Sequence, residues 1–274
     1  MTVNQLLDSG DLNSAIAQVA QEVRTNPVDS ANRTALFELL CCAGDLDRAA
    51  KHLEVIAAEN TDRAIAVQPY RNLLEGERKR RKLFTEGLIP GLPKSVPPYT
   101  RLHLEAINRV REGRYDEALN VLEEAAAATP ATSGSINDTH FDNLSDADDL
   151  IGPFLELIVS GTYSWVPWEA VRSVTTAPPR NLRDLIWLPA NVELVLGPLG
   201  DVFLPALYTN SYLHADTGVK LGRMTEWRSD VPGLALAVGQ KLLMADEQEW
   251  PLLNIRQLEI QPASENYVGS GAHN

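Results

Sequence analysis

Only two cysteines occur in 274 residues, and they are neighbours, Cys41 and Cys42. Adjacent side chains on a helix point in different directions, so the pair predicts reduced, half-buried residues and no disulfide framework. The five histidines (52, 103, 140, 214 and 273) are scattered without metal-ligand spacing, so no metal or other cofactor is expected. No run approaches the roughly 18 consecutive apolar residues of a membrane span, and the first twenty residues lack the basic start and unbroken apolar segment of a leader. A cytoplasmic protein is expected. Basic residues are also scarce, 24 Lys and Arg against 37 Asp and Glu, for a formal net charge of -13. Phosphate binding draws its affinity from clustered Lys and Arg, so nucleic acid is excluded as a partner. The deficit is uneven: residues 1 to 130 carry 16 basic and 19 acidic side chains, residues 131 to 274 carry 8 and 18. The second half should repel polyanions and anionic membranes alike.

Hydrophobic residues make up 44% and charged residues 22%, a globular balance, and the length suits two domains. Self-similarity organises the first half. Gly10-Asp11-Leu12-x-x-Ala15, Gly44-Asp45-Leu46-x-x-Ala49 and Gly113-Arg114-Tyr115-x-x-Ala118 share one pattern, and glycines 10 and 44 lie 34 residues apart. Pro27 and Pro130 each follow their glycine by 17 residues, whereas Thr61 stands at that place in the second unit. The period and punctuation resemble the tetratricopeptide repeat. Gly ends the first helix of a pair without a Cβ penalty, Ala permits close helix approach and Pro stops the second helix. The 69-residue gap from 44 to 113 predicts a degenerate unit around Leu73 to Phe84, followed by a stiff proline-rich connector, Ile89 to Tyr99. The run Arg78-Lys79-Arg80-Arg81-Lys82 reads either as a contact for an acidic partner or, preferably, as a solvated helix face flanked by Glu75, Glu77 and Glu86.

Stacked helix pairs leave a concave groove that binds extended peptides or amphipathic helices. Its inner face would come from the first helix of each pair, which points to Thr34, Glu38, Cys41, Cys42, His103, Ile107 and Arg111 as protein-binding candidates. A closed core lined by the same residues is the alternative.

Residues 131 to 149 are small, polar and acidic, the composition of an interdomain linker running into a helix start, with Ser145 and Asp148 as an N-capping arrangement. The Asp cluster lacks the spacing of a calcium loop. A helix is expected over Phe154 to Ser160. Beyond it come short β-type runs: Tyr163 to Pro167, Leu185 to Leu188, Val192 to Leu196, Val202 to Ala206, Leu234 to Leu243 and Leu252 to Ile260, with turns at Gly197-Pro198 and Gly200-Asp201. The tail from residue 263 reads as disordered. The fold class is therefore α+β: an all-α tetratricopeptide-like array over 1–130, then a mixed, β-rich domain over 150–262. The five tryptophans are expected mostly in the core.

Five segments carry a family resemblance: Ala147-Asp-Asp-Leu-Ile-Gly-Pro153, Gly161-Thr-Tyr-Ser-Trp-Val-Pro-Trp168, Pro178-Pro-Arg-Asn-Leu-Arg-Asp-Leu-Ile-Trp187, Leu204-Pro-Ala-Leu-Tyr208 and Leu221-Gly-Arg-Met-Thr-Glu-Trp227. Together they resemble the ImpE family of bacterial type VI secretion. The resemblance implies a cytoplasmic, non-catalytic adaptor. Its helical domain would bind a helix near the N-terminus of the small contractile-sheath subunit, and it would link the sheath to its disassembly ATPase. No family motif fixes a contact residue. Two other readings stand beside it. One is a general helical-repeat scaffold; the other is a hidden enzyme whose set would be drawn from His140, His214, Asp142, Asp184, Glu193 and Ser211. No pair of these has catalytic spacing, and no G-x-S-x-G, H-E-x-x-H or phosphate loop occurs.

Overall fold

The computed structural model describes residues 1–261, so the tail expected to be disordered lies outside the described residues. Eight helices come first: α1 (Val3–Asp8), α2 (Leu12–Thr25), α3 (Ser30–Cys42), α4 (Leu46–Ala57), α5 (Thr61–Ala66), α6 (Gln68–Glu86), α7 (Pro98–Arg111) and α8 (Tyr115–Ala128). The three glycine motifs close three hairpins, α1/α2, α3/α4 and α7/α8, in one geometry. Gly10, Gly44 and Gly113 have φ of +81°, +77° and +73°. In each hairpin the next residue's N–H reaches back five residues, Asp11 to Leu6, Asp45 to Leu40 and Arg114 to Arg109, at 2.8 to 2.9 Å. This is the six-to-one bond that terminates helices on a left-handed glycine. Asp11 and Asp45 then cap the following helix through their side chains, accepting from the Ser14 and Arg48 N–H.

The expected fourth repeat is absent. Between α4 and α7 the chain holds only the short α5 and a single 19-residue α6. The connector after α6 runs extended along the sheet: the Gly91 N–H donates to the Tyr163 carbonyl at 2.8 Å, and the Trp165 N–H donates to the Gly91 carbonyl at 2.9 Å. It thereby covers an edge strand that would otherwise be open.

The β part comprises β1 (Gly134–Ile136), β2 (Thr139–Phe141), β3 (Leu144–Asp146), β4 (Phe154–Val159), β5 (Thr162–Pro167), β6 (Val171–Thr176), β7 (Trp187–Leu194), β8 (Gly197–Pro205), β9 (Thr225–Trp227), β10 (Ala237–Gly239), β11 (Leu242–Ala245), β12 (Gln248–Pro251) and β13 (Gln257–Ile260). Eight strands form one sheet in the order β2-β1-β13-β6-β7-β8-β4-β5, β12-β11-β3 form a second, and β9 pairs with β10. The chain is thus mixed α+β, helices first and sheet after.

Several expectations change here. Residues 131–149 form no linker but three strands, and the β1–β2 turn is tight, with Asn137 and Asp138 both at positive φ, the conformation of a two-residue hairpin loop. Ser145 lies in β3 and caps no helix. Phe154 to Ser160 is strand β4 instead of a helix. The runs at 185–188 and 192–196 are joined by one strand, β7, which begins after a short 3-10 turn at Leu182–Leu185; the turn after it is Val195-Leu196, and both expected turns, Gly197-Pro198 and Gly200-Asp201, lie within β8. The run at 234–243 is divided between β10 and β11, and that at 252–260 between a 3-10 turn and β13.

Strand β4 resists reading because both faces are buried. Phe154 and Ile158 pack among the helices, while Leu155 and Leu157 pack in a second core with β3, β6, β8 and β11. With no solvent face, the polar alternation that marks a strand is missing. The first core runs without a break from Leu7 to Leu236, so one body of apolar side chains serves helices and sheet together. Trp165, Trp168 and Trp187 are fully buried, while Trp227 is 47% exposed.

Two of the glycines test the local geometry. A Cβ on Gly10 would meet nothing within 4 Å, whereas one on Gly44 would lie 2.2 Å from the Tyr212 ring. Gly10→Ala should cost about 1–2 kcal/mol for its left-handed backbone. Gly44→Ala should cost a further ~1–3 kcal/mol for overpacking, a difference that denaturant titration of the two variants would resolve.

Candidate functional site: a cleft beside a buried ionic joint

The basic run of α6 is a solvated face only in part: Lys79 pairs with Glu75 and the exposed Lys82 with Glu86, but the run's centre is buried. Arg80 is 3% exposed. Its Nε donates to Glu156 Oε1 on β4 at 2.7 Å, and its guanidinium also donates to the Leu207 carbonyl at 2.9 Å. Glu156 Oε2 lies 2.7 Å from Lys241 Nζ, and Lys241 pairs in turn with Asp146 on β3. The Tyr163 hydroxyl donates to Glu156 at 2.5 Å and accepts from Trp165 Nε1 at 2.6 Å. Neighbouring members of the run reach in other directions. Lys79 donates to the Gly161 carbonyl and Arg81 to the Gly44 carbonyl, each at 2.9 Å, while Arg81 also lies over the Tyr212 ring at 3.8 Å.

Burial alone would raise the Glu156 carboxyl, but Arg80 and Lys241 outweigh it and hold it at about 2. Asp148 lacks such a partner. Burial first, and the Asp146 carboxylate second, push it up to about 7, although it accepts from the Leu150 and Ala237 N–H groups at 3.0 and 3.1 Å. The acidic cluster expected to cap a helix is therefore folded into the interior.

The structure scatters the seven groove candidates. Cys41 and Cys42 are buried in the shared core with free thiols, and burial raises both thiol pKa values. Thr34 bonds to the Ser30 carbonyl of its own helix. Glu38 pairs with Arg183, which also lies 4.9 Å over Tyr70. The inner face of α3 is thus filled by the chain's own 3-10 turn at Leu182–Leu185. Ile107 is 1% and His103 4% exposed, and only Arg111 of the seven is exposed, bonded to Asn108 at 2.6 Å. His103 Nδ1 lies 3.1 Å from the Leu150 carbonyl, and burial lowers its pKa to about 4 against that bond.

The six residues of the enzyme reading each have a local partner. His140 lies 3.3 Å from Asp142, His214 3.3 Å from Glu226 and Glu193 3.6 Å from Arg172. Asp184 accepts from the Arg180 and Asn181 N–H groups, and the Ser211 hydroxyl joins the Tyr208 carbonyl to the Gly239 N–H. No hydrogen bond or ion pair among the described residues joins one of these pairs to another.

A surface feature that sequence reading missed is a cleft of about 770 Å³ between α5, the start of α6 and the sheet. Leu73, Ile158 and Val202 form its floor, each 1% exposed, and Ile65 stands at the rim, 68% exposed. Gln68, Asn72 and Asn191 supply amides, and no charged side chain stands among the described residues that line it. The cleft joins residues more than a hundred positions apart, so periodicity in either half could not have shown it.

A helical-hairpin array closed onto a β-rich domain, with one core between them, defines the architecture. The chain belongs to the ImpE family, whose model, described as ImpE protein, matches residues 138–259. It is 35% identical over 262 residues, 96% of this chain and 92% of the other, to the type VI secretion system accessory component TagJ of Pseudomonas aeruginosa. The crystal structure of protein VPA1032 from Vibrio parahaemolyticus has the same fold, with a TM-score of 0.87 over 94% of this chain and 97% of that one, at 21% identity.

Two measurements check the electrostatics. Glu156→Gln, which removes the carboxylate shared by Arg80 and Lys241 and leaves them only Glu77 and Asp146, should cost about 3–5 kcal/mol. By contrast Glu54→Gln, at the exposed Arg71–Glu54 pair, should cost less than about 1 kcal/mol. For His103 the folded pKa lies below the unfolded one, so the unfolded chain takes up the proton first and stability is lost as pH falls. Between pH ~6.5 and ~4 wild type should lose about 3 kcal/mol relative to His103→Gln, read as the difference between their stability-versus-pH curves.

Proposed function

We propose that this chain is a non-catalytic accessory protein of type VI secretion that works in the cytoplasm as an adaptor. Its cleft between α5, α6 and the sheet would take an apolar-faced helix of a protein partner. The lack of charged side chains among the described residues lining that cleft, in a chain of net charge -13, carries the reading. Such a surface gains binding energy from apolar burial and offers amides to satisfy the polar edge of a helix. The partner that the ImpE resemblance implies is the N-terminal helix of the small contractile-sheath subunit, and the similarity to TagJ supports the type VI setting. The cleft replaces the repeat groove as the docking place, because the inner face of α3 is occupied by Arg183 and its turn. The acidic sheet half would present a second contact, for which the resemblance implies the disassembly ATPase. Among the described residues no helix is long and apolar enough to cross a membrane.

Calorimetric titration of the full chain with a peptide of the sheath subunit's first helix tests this reading. Saturable binding with a negative heat-capacity change is expected. Ile65→Glu, at an exposed rim position, should weaken it tenfold or more and leave folding stability unchanged. Absence of binding would leave the general scaffold reading in its place.

A further inference from the structure

A second cleft, of about 390 Å³, lies on the opposite side of His103 from the core, between α7, α8 and the turn joining β3 to β4. Its walls combine Leu119 and Leu122 of α8 with Asn143 and Ser145, and two carboxylates, Glu123 and Asp149, stand in it without a cation among the lining residues. Asp146, at the inner end, is already paired with Lys241. Asp149 accepts from the Ala235 N–H and has no ion-pair partner among the described residues, and Glu123 makes no ion pair there either.

His103 gives this cleft a directed polar group. The residue is 4% exposed, its Nδ1 faces the Leu150 carbonyl at 3.1 Å, and its Nε2 makes no hydrogen bond among the described residues. A carbonyl can only accept, so Nδ1 carries the proton and Nε2 presents a bare lone pair. The Cε1–Nε2 edge is turned toward Gly152, which lines the cleft: Cε1 lies 3.2 Å and Nε2 3.9 Å from where a Gly152 Cβ would stand. Burial keeps the ring neutral, with a pKa of about 4. The ring is held at one edge by Tyr99 and across its face by Phe154, whose ring centroids lie 6.5 and 5.3 Å away, so the lone pair has a fixed direction.

We infer that this cleft is a second recognition site, which takes an arginine side chain of a protein partner: one guanidinium N–H donates to His103 Nε2 while Glu123 and Asp149 balance the charge. Arginine fits better than lysine because its planar fork carries five donors at fixed angles and can serve a neutral acceptor and carboxylates together, and because it is more weakly hydrated when buried. Leu119 and Leu122 would cover its methylene stem. The site is separate from the larger cleft and stands or falls independently of the sheath-helix reading.

The test uses the full chain labelled with ¹⁵N-histidine, titrated with acetyl-arginine methylamide while the His103 Nε2 resonance is followed. Acetyl-citrulline methylamide, the neutral isostere, and acetyl-lysine methylamide serve as comparators. The inference expects a saturable upfield shift of Nε2 with the arginine reagent, at least tenfold weaker binding by the citrulline and lysine reagents, and about threefold weaker binding to the exposed-rim variant Glu123→Gln. An Nε2 resonance unmoved by the arginine reagent, or moved equally by citrulline or lysine, would overturn it.

Discussion

The contact on which the rest of the structure depends is the pairing of Arg80 on α6 with Glu156 on β4, extended through Lys241 to Asp146. It is a chain of four charges with almost no access to water, drawn from four places in the sequence. Such a chain adds little net stability, since desolvation offsets most of the attraction. What it supplies is a condition on assembly. None of the four can be buried unless the others arrive, so α6 can settle on the sheet in only one register. Two further members of the basic run reach backbone carbonyls on either side, Lys79 at Gly161 beside the sheet and Arg81 at Gly44 in the α3/α4 hairpin. Arg81 also reaches the hairpin glycine next to which Tyr212 packs.

The shape of the molecule follows from that joint. With α6 fixed against β4 and β5, the space between α5 and the sheet remains open as the larger cleft, and the inner face of α3 is closed by the turn carrying Arg183. A tetratricopeptide array ordinarily offers its concave face to a partner. Here the chain covers part of that face itself and makes a new surface where helices and sheet meet. One continuous core lies beneath that surface, so its shape depends on both halves being folded.

What could be read from sequence was what local geometry determines. The three glycine motifs announce their turns within six residues, and all three hairpins stand at those glycines. The β-rich character of the second half also showed in its Gly and Pro spacing. The failures share a cause. Strand β4 hides its alternation because Glu156, its one charged residue, points inward to a partner 76 positions away. The burial of Arg80 within the basic run is hidden because the Glu156 carboxylate and Leu207 carbonyl that receive it lie in the other half. The acidic stretch at 131–149 was misread for its composition, although Asn137-Asp138 between two short alternating runs is a hairpin signal that was available. The candidates on α3 and α7 were placed on the correct helices, but their burial depends on elements that follow them in the chain.

The five tryptophans all lie in the sheet half, at 165, 168, 187, 227 and 250, and helices α1 to α8 all lie before residue 130. Equilibrium unfolding of the full chain, followed at once by tryptophan fluorescence and by helical circular dichroism, therefore reports on each half separately. If the buried joint makes them one unit, the two signals will fall together in a single transition with one midpoint. Loss of the helical signal at a different denaturant concentration from the fluorescence would show that the halves fold independently, and would contradict the account.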